Sequence, residues 1–301
     1  MSQYDTRRSA DDYIPLGHEL HARPLKDLYS VAARELLFPA PSIPLSDFPK
    51  LTVMTGGVRA NEFTILCGAT GSGKTTFCSN LSASMIRQGV KHFVASVETG
   101  ATDYVKRVMS VLAGEDWNTG EEVARERLTE FHARHGRYMQ SDRLVLSMYD
   151  NRFPVETLMA DLATAYRDHG CQVAIVDNLN FFMEVCRANE SVAEMDRVIH
   201  ELIIFCKRVP IHVVMVMHPK KTDHGRVESE FDVKGSATAV QEAHNILLFN
   251  RPHPDLIKSG LATPDDREVK VAKMRRKGKF VHRRLILKGI DGVRYEEGEV
   301  V

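Results

Sequence analysis

Residues 63–75 read FTILCGATGSGKT, and this stretch decides the fold. Gly68 to Thr75 satisfies the phosphate-loop pattern G-x-x-x-x-G-K-S/T in full, and both flanks fit. Phe63 to Cys67 is a largely apolar run that reads as a buried strand, and Lys74 to Gln88 reads as a helix ended by Gly89. A phosphate site needs all three parts. The strand delivers the loop, and small residues (Gly68, Thr70, Gly71, Ser72, Gly73) let backbone N–H groups curl around phosphate oxygens. The helix start at Lys74, Thr75 and Thr76 adds partial positive charge. Lys74 would reach the β- and γ-phosphates and the Thr75 hydroxyl would hold Mg²⁺. The competing reading is a tight glycine-rich turn without a ligand, which does not explain the strand and helix on either side. The chain is expected to bind a nucleoside triphosphate with Mg²⁺.

Outward from the loop, apolar strands alternate with helices. Strands are expected at His92–Val97, Leu144–Ser147, Val173–Asp177 and Ile211–Met217. Helices are expected at Ala101–Ala113, Glu121–His135, Val155–Asp168 and Val192–Arg208. Near-continuous apolar strands between helices imply an α/β fold: a mostly parallel sheet with helices on both faces. The tail, with strands at Asn245–Asn250, Glu268–Met274 and Arg283–Leu287, is expected to finish the sheet antiparallel. Residues 1–50 form an N-terminal extension and residues 51–301 one ATPase domain. The extension holds six of the chain's 12 prolines and one amphipathic segment, Leu25–Leu37. A lone short helix needs a surface for its apolar face, in its own core or on a neighbouring subunit.

Composition is that of a globular protein, 43% hydrophobic and 27% charged over 301 residues. No apolar run reaches membrane-spanning length, so no membrane partner is expected. The five cysteines form no C-x-x-C pair, which argues against zinc or disulfides and for a cytoplasmic setting. Net charge is zero, with 40 basic and 40 acidic residues, but ten Lys/Arg against one acid fall between Arg267 and Lys288. A local patch matters more than the total for an anionic partner.

Several residues sit where chemistry is expected. Asp177 ends a buried strand after the phosphate-loop unit, the place for a Mg²⁺ carboxylate; the alternative is an Asp capping a turn. Ligands of open α/β sheets lie beyond the strands' carboxyl ends. Glu98 would therefore emerge beside the γ-phosphate as the base that polarises water, or else stand as a surface carboxylate. His218 ends a third core strand, where a polar group can sense the γ-phosphate. From it runs the segment Pro219–Gly235, long enough to be functional and mixed in charge. Strand alternation puts Lys273 and Arg275 on one face, where two cations call for an anion such as the triphosphate of an adjacent subunit. A solvated basic edge strand is the alternative.

Together the segments GATGSGKTTF, QGVKHFVASVE, VAIVDNLNFFM, VVMVMHPKK, KGSATAVQEAHNILLFNR and KVAKMRRKG, in this order over roughly residues 45–290, resemble the DnaB-like replicative ring helicases. The nearest likeness is to the helicase domains of Twinkle and of phage primase-helicases. The resemblance implies a RecA-like core in a hexameric or heptameric ring with ATP between subunits. It implies Glu98 as base, Asp177 at Mg²⁺, His218 as γ-phosphate sensor, and Arg275, with Lys273 beside it, as a finger in trans. By the same resemblance Gln241 lies near the nucleotide and Arg251 against the base. The 219–235 loop (Lys220, Lys221, Arg226, Lys234, Gly235) lines the channel on single-stranded DNA, and Leu25–Leu37 is a linker helix. A separate primase or polymerase is the implied partner, in phage or bacterial replication. The runner-up is a RecA-like ATPase acting as a nucleotide switch or DNA-binding regulator without unwinding. A nucleotide kinase is disfavoured because no arginine-rich lid is present.

Overall fold

The computed structural model describes residues 24–38, 41–117, 124–147, 154–178, 190–220, 226–234, 237–276 and 281–301. In chain order these form α1 (Leu25–Leu37), β1 (Ser42–Ile43), α2 (Pro49–Thr55), β2 (Val58–Arg59), β3 (Phe63–Cys67) and α3 (Lys74–Gln88). Next come β4 (His92–Ser96), α4 (Ala101–Ala113), α5 (Arg125–Met139), β5 (Leu144–Leu146), α6 (Val155–Arg167), β6 (Val173–Asp177), α7 (Glu190–Arg208) and β7 (His212–Met217). The chain ends with α8 (Ala237–Glu242), β8 (Asn245–Asn250), α9 (Pro254–Lys258), β9 (Arg267–Met274), β10 (Arg284–Ile290) and β11 (Arg294–Val300). Ser42–Val301 is one compact unit; α1 belongs to the other and has no buried residue. Among the described residues no helix is long and apolar enough to cross a membrane.

Among the described residues nine strands make one sheet in the order β11-β10-β9-β8-β3-β7-β6-β4-β5. The six strands from β8 to β5 run parallel, and β9, β10 and β11 follow antiparallel, as expected for the tail. Alternation along each parallel strand sorts the core onto two faces. Phe63, Ile65 and Cys67 of β3, with Ala174 and Val176 of β6, face Leu158 of α6 and Leu202 of α7. Leu66, Val173 and Ile175 point the other way, onto Phe77 of α3 and Tyr104 of α4. Full burial of each such side chain stabilises the fold by roughly 1.5–3 kcal/mol. Covering on both faces is why the strands carry no polar alternation. Cys67, Cys78 and Cys206 are buried free thiols within these clusters.

Some local expectations shift. The helix expected over 121–135 runs Arg125–Met139 among the described residues. The β1–β2 hairpin around α2, and β11, carry no clear period and were not anticipated. They are tied together across the chain: Glu297 of β11 accepts from Lys50 N at 2.6 Å and Leu51 N at 2.7 Å. A carboxylate thus satisfies two free N–H groups at the start of α2, where the helix dipole favours negative charge. The segment 252–267, for which sequence alone offered no account, contains α9. It ends on Asp266, which accepts from Lys288 Nζ at 2.9 Å and Gly289 N at 3.1 Å.

Candidate functional site

The phosphate loop joins β3 to α3 at the carboxyl end of the parallel strands, and its glycines answer to specific geometry. A Cβ on Gly68 would stand 2.3 Å from the Phe249 carbonyl oxygen and 2.9 Å from Ser72 Oγ, so no side chain fits there. Gly71 and Gly73 have φ of +72° and +96°, a region costly for other residues. Lys74 is buried and donates from Nζ to the carbonyls of Gly68 at 2.8 Å and Ala69 at 2.9 Å. Burial lowers its pKa, with the Asp177 charge opposing. Ser72 Oγ is buried without a hydrogen-bond partner among the described residues. Two residues that sequence reasoning did not find brace the loop from behind. Arg267 Nε donates to the Ser72 carbonyl at 2.7 Å, and a Cβ on Gly73 would meet Tyr295 Oη at 2.6 Å. Both come from the antiparallel tail, two hundred residues away in sequence.

Strand ends β4, β6 and β7 deliver Glu98, Asp177 and His218 to the same edge. Thr75 Oγ1 donates to Asp177 Oδ2 at 2.7 Å. Asp177 is 1% exposed, and burial raises its pKa while the Thr75 bond opposes that shift. Hydroxyl and carboxylate oxygens side by side suit a hard cation such as Mg²⁺, which prefers few protein ligands beside phosphate oxygens. Glu98 is exposed at the end of β4, with Oε2 accepting from Asn178 Nδ2. His218 is half-buried, Nδ1 lying 3.4 Å from Thr70 Oγ1 and Nε2 3.3 Å from Asn178 Nδ2. Burial, then the Lys74 charge, lowers the His218 pKa, which keeps the ring neutral. Thr76 follows Thr75, half-buried in the first turn of α3.

Lys273 and Arg275 point to one side of β9, but at the opposite edge of the sheet. Lys273 Nζ donates to the Val240 carbonyl at 2.7 Å and the Gln241 carbonyl at 2.5 Å. Arg275 Nη2 donates to the Gln241 carbonyl at 2.7 Å. Both cations therefore cap the carbonyl end of α8, where the helix dipole favours them. Register fixes the separation from the loop: Met274 aligns with Asn245, which aligns with Thr64. Gly68 is four residues further on, about 13 Å along the strand. Gln241 lies with the cations, away from the phosphate loop of its own chain. Arg251 is exposed just beyond β8, next to the loop, and its carbonyl accepts from Arg226.

Of the 219–235 segment, residues 219–220 and 226–234 are described. Pro219 bridges Val233, and residues 230–232 form a short 3-10 turn closed by a Ser229–Asp232 capping box. Lys220 Nζ donates to the Phe231 carbonyl at 3.0 Å, and Lys234 is exposed. Arg226 is turned inward. Its Nε donates to Glu228 at 2.9 Å, and its Nη2 to Glu268, a fully buried carboxylate, at 3.3 Å. Lys221 and Gly235 lie outside the described residues.

A protein-family profile described as an AAA domain matches residues 46–224. The DNA helicase/primase of Enterobacteria phage T3 is 23% identical over 211 residues, covering 65% of this chain. The chain spans only 36% of the length of that curated relative. A solved DnaB-like replicative helicase, studied with its interactions with primase, matches with TM-score 0.72 at 17% identity, over 91% of this chain and 67% of that one. A second solved structure, an ATPase domain alone, gives TM-score 0.74 at 16% identity over 92% and 100% of the two chains. At these identities the likeness is one of fold: the RecA-like α/β architecture of DnaB-like helicase ATPase domains.

Proposed function

Because this chain belongs to the AAA domain family, matched over residues 46–224, we propose that it is an ATP-dependent DNA helicase of the replicative type. It would act as a ring ATPase that moves along single-stranded DNA and unwinds duplex. The observation that carries this reading is the division of the machinery between the two edges of the sheet. The phosphate loop, Glu98, Asp177 and His218 gather at the carboxyl end of the parallel strands. Lys273 and Arg275 are held at the other end, on the carbonyls of α8. A head-to-tail ring closes this gap, because the same two patches meet at every interface. Six or seven copies are the implied number.

In this arrangement Lys74 exchanges the Gly68 and Ala69 carbonyls for phosphate oxygens. Glu98, whose Oε2 accepts from Asn178, accepts a proton from the attacking water through its other oxygen. Thr75 and Asp177 would hold Mg²⁺, which neutralises charge on the β- and γ-phosphate oxygens when bound. Arg275 of the neighbouring copy, with Lys273 beside it and Gln241 at its base, stabilises charge on the transferred phosphoryl group. Arg251 packs against the base. His218 responds to phosphate loss, and its carbonyl accepts from Lys234 N at 3.3 Å, which ties the sensor to the loop that follows. Lys220, Lys221, Lys234 and Gly235 are the residues of that loop assigned to DNA. The solved helicase studied with primase supports a separate primase as partner, while a cytoplasmic site of action rests on the phage relative. The test is ATP turnover with and without a single-stranded oligonucleotide, run beside strand separation on a forked duplex. Stimulated turnover and unwinding are expected; turnover indifferent to DNA, without unwinding, would favour the nucleotide-switch reading.

A further inference from the structure

Asn178 follows Asp177 at the end of β6 and is 3% exposed, so its amide is aimed inward. Nδ2 donates to Glu98 Oε2 and lies 3.3 Å from His218 Nε2, while His218 Nδ1 lies 3.4 Å from Thr70 Oγ1. One amide nitrogen carries two N–H donors, and here they face the groups assigned as base and sensor. The directions are mutually consistent. With Nε2 of His218 accepting from Asn178, the ring proton sits on Nδ1 and points at Thr70, which leaves the Thr70 hydroxyl proton for a phosphate. The lowered His218 pKa, caused by burial and the Lys74 charge, agrees with the neutral ring that this chain requires.

We propose that Asn178 is a positioning residue for hydrolysis: it fixes the Glu98 carboxylate through Oε2, leaves Oε1 for water, and links that base to His218 and Thr70. Glu98 is exposed at a strand end. Untethered, its three side-chain torsions would spread the carboxylate over many positions. A displacement of about 1 Å at a reacting group costs roughly 10²-fold in rate. The tether makes the base competent only when the sensor and the phosphate loop are themselves in place. The inference rests on the reading of Glu98 as base.

The full chain is assayed as its native assembly for kcat, KM for ATP, ADP affinity and thermal midpoint. Variants are Asn178→Ala, Asn178→Asp, His218→Ala, Glu98→Gln and the Asn178→Ala/His218→Ala pair. Asp keeps the shape of Asn but brings no N–H. Both Asn178 variants should lose about 10–100-fold in kcat, with KM and ADP affinity within about threefold. Because the two groups act in series, the double variant should be no slower than its slower parent by more than about threefold. Unchanged kcat, a loss carried by KM, or losses that multiply in the double variant would overturn the proposal. If Asn178→Ala does not fold, Asn178→Asp decides, and failure of both to fold assigns the residue to the scaffold and overturns it. A Glu98→Gln variant at parental speed sinks the base itself and the inference with it. An inactive Glu98→Gln beside fast Asn178 variants sinks only the inference.

Discussion

Arg275 is the residue whose placement makes the strongest demand. Its own phosphate loop begins about 13 Å further along the strand direction and two strands away across β8. The Gln241 carbonyl holds its guanidinium at the opposite edge. In cis it cannot reach the γ-phosphate. Arg275→Ala should therefore lower kcat by about 10³–10⁵ while nucleotide affinity stays intact. Glu98→Gln should be equally inactive. When the two inactive variants are mixed one to one and allowed to exchange, an interface works only if its loop side has Glu98 and its finger side has Arg275. Random assembly of a head-to-tail ring gives about one such interface in four, so roughly 25% of parental turnover should return. Steady-state ATP turnover measures it, with mass measurement showing that mixed rings have formed. Mixed rings that remain inactive would refute shared sites, as would an Arg275→Ala protein that hydrolyses ATP at parental speed.

Arg226 and the buried histidines carry the other predictions. Among the described residues Arg226→Ala leaves the fully buried Glu268 with Arg284 at 3.6 Å, and should cost about 3 kcal/mol in a urea melt without changing affinity for single-stranded DNA. Unchanged stability with weakened DNA binding would return Arg226 to the DNA-facing residues. His92 and His212 are fully buried, and burial holds each near a pKa of about 4. The unfolded chain takes up protons first as pH falls below about 6.5, so this stability is whole above pH 6.5 and declines toward pH 4. By pH 5 the loss is about 2 kcal/mol per histidine. His212→Gln should remove about half of that loss, and melts at pH 7 and 5 that match the parent's would refute it.

Much of the site was readable without coordinates because the strands that carry it are buried on both faces. Largely apolar runs at 63–67, 173–176 and 211–217 end abruptly at Gly68, Asp177 and His218. In a parallel sheet those ends gather at one edge, so the loop, Asp177 and His218 could be placed together from periodicity alone. Glu98 follows by the same logic. Asn178 was visible as a neighbour of Asp177, but nothing local assigns its amide to Glu98. The pairing of Arg226 with Glu268 was not legible, because a basic residue in a loop gives no sign of a buried carboxylate 42 positions away. β11, RYEEGEV, is an edge strand with one buried residue, Tyr295, and its polar residues erase the period-two signal.

The order of residues alone determined a nucleotide loop, a parallel α/β core and the groups at its strand ends, because each depends on interactions within about ten residues. Only tertiary structure decided that Lys273 and Arg275 lie at the edge opposite the loop. Right-handed crossovers return every parallel strand to the same starting edge, whereas the antiparallel turn into β9 carries Lys273 and Arg275 away from the loop they resemble a partner for. The braces from Arg267 and Tyr295, the Glu297 cap on α2 and the Asn178 link all join segments far apart in sequence. Such contacts leave no periodic trace, since they are fixed by where the sheet brings two backbones and by the need to pair each buried polar group.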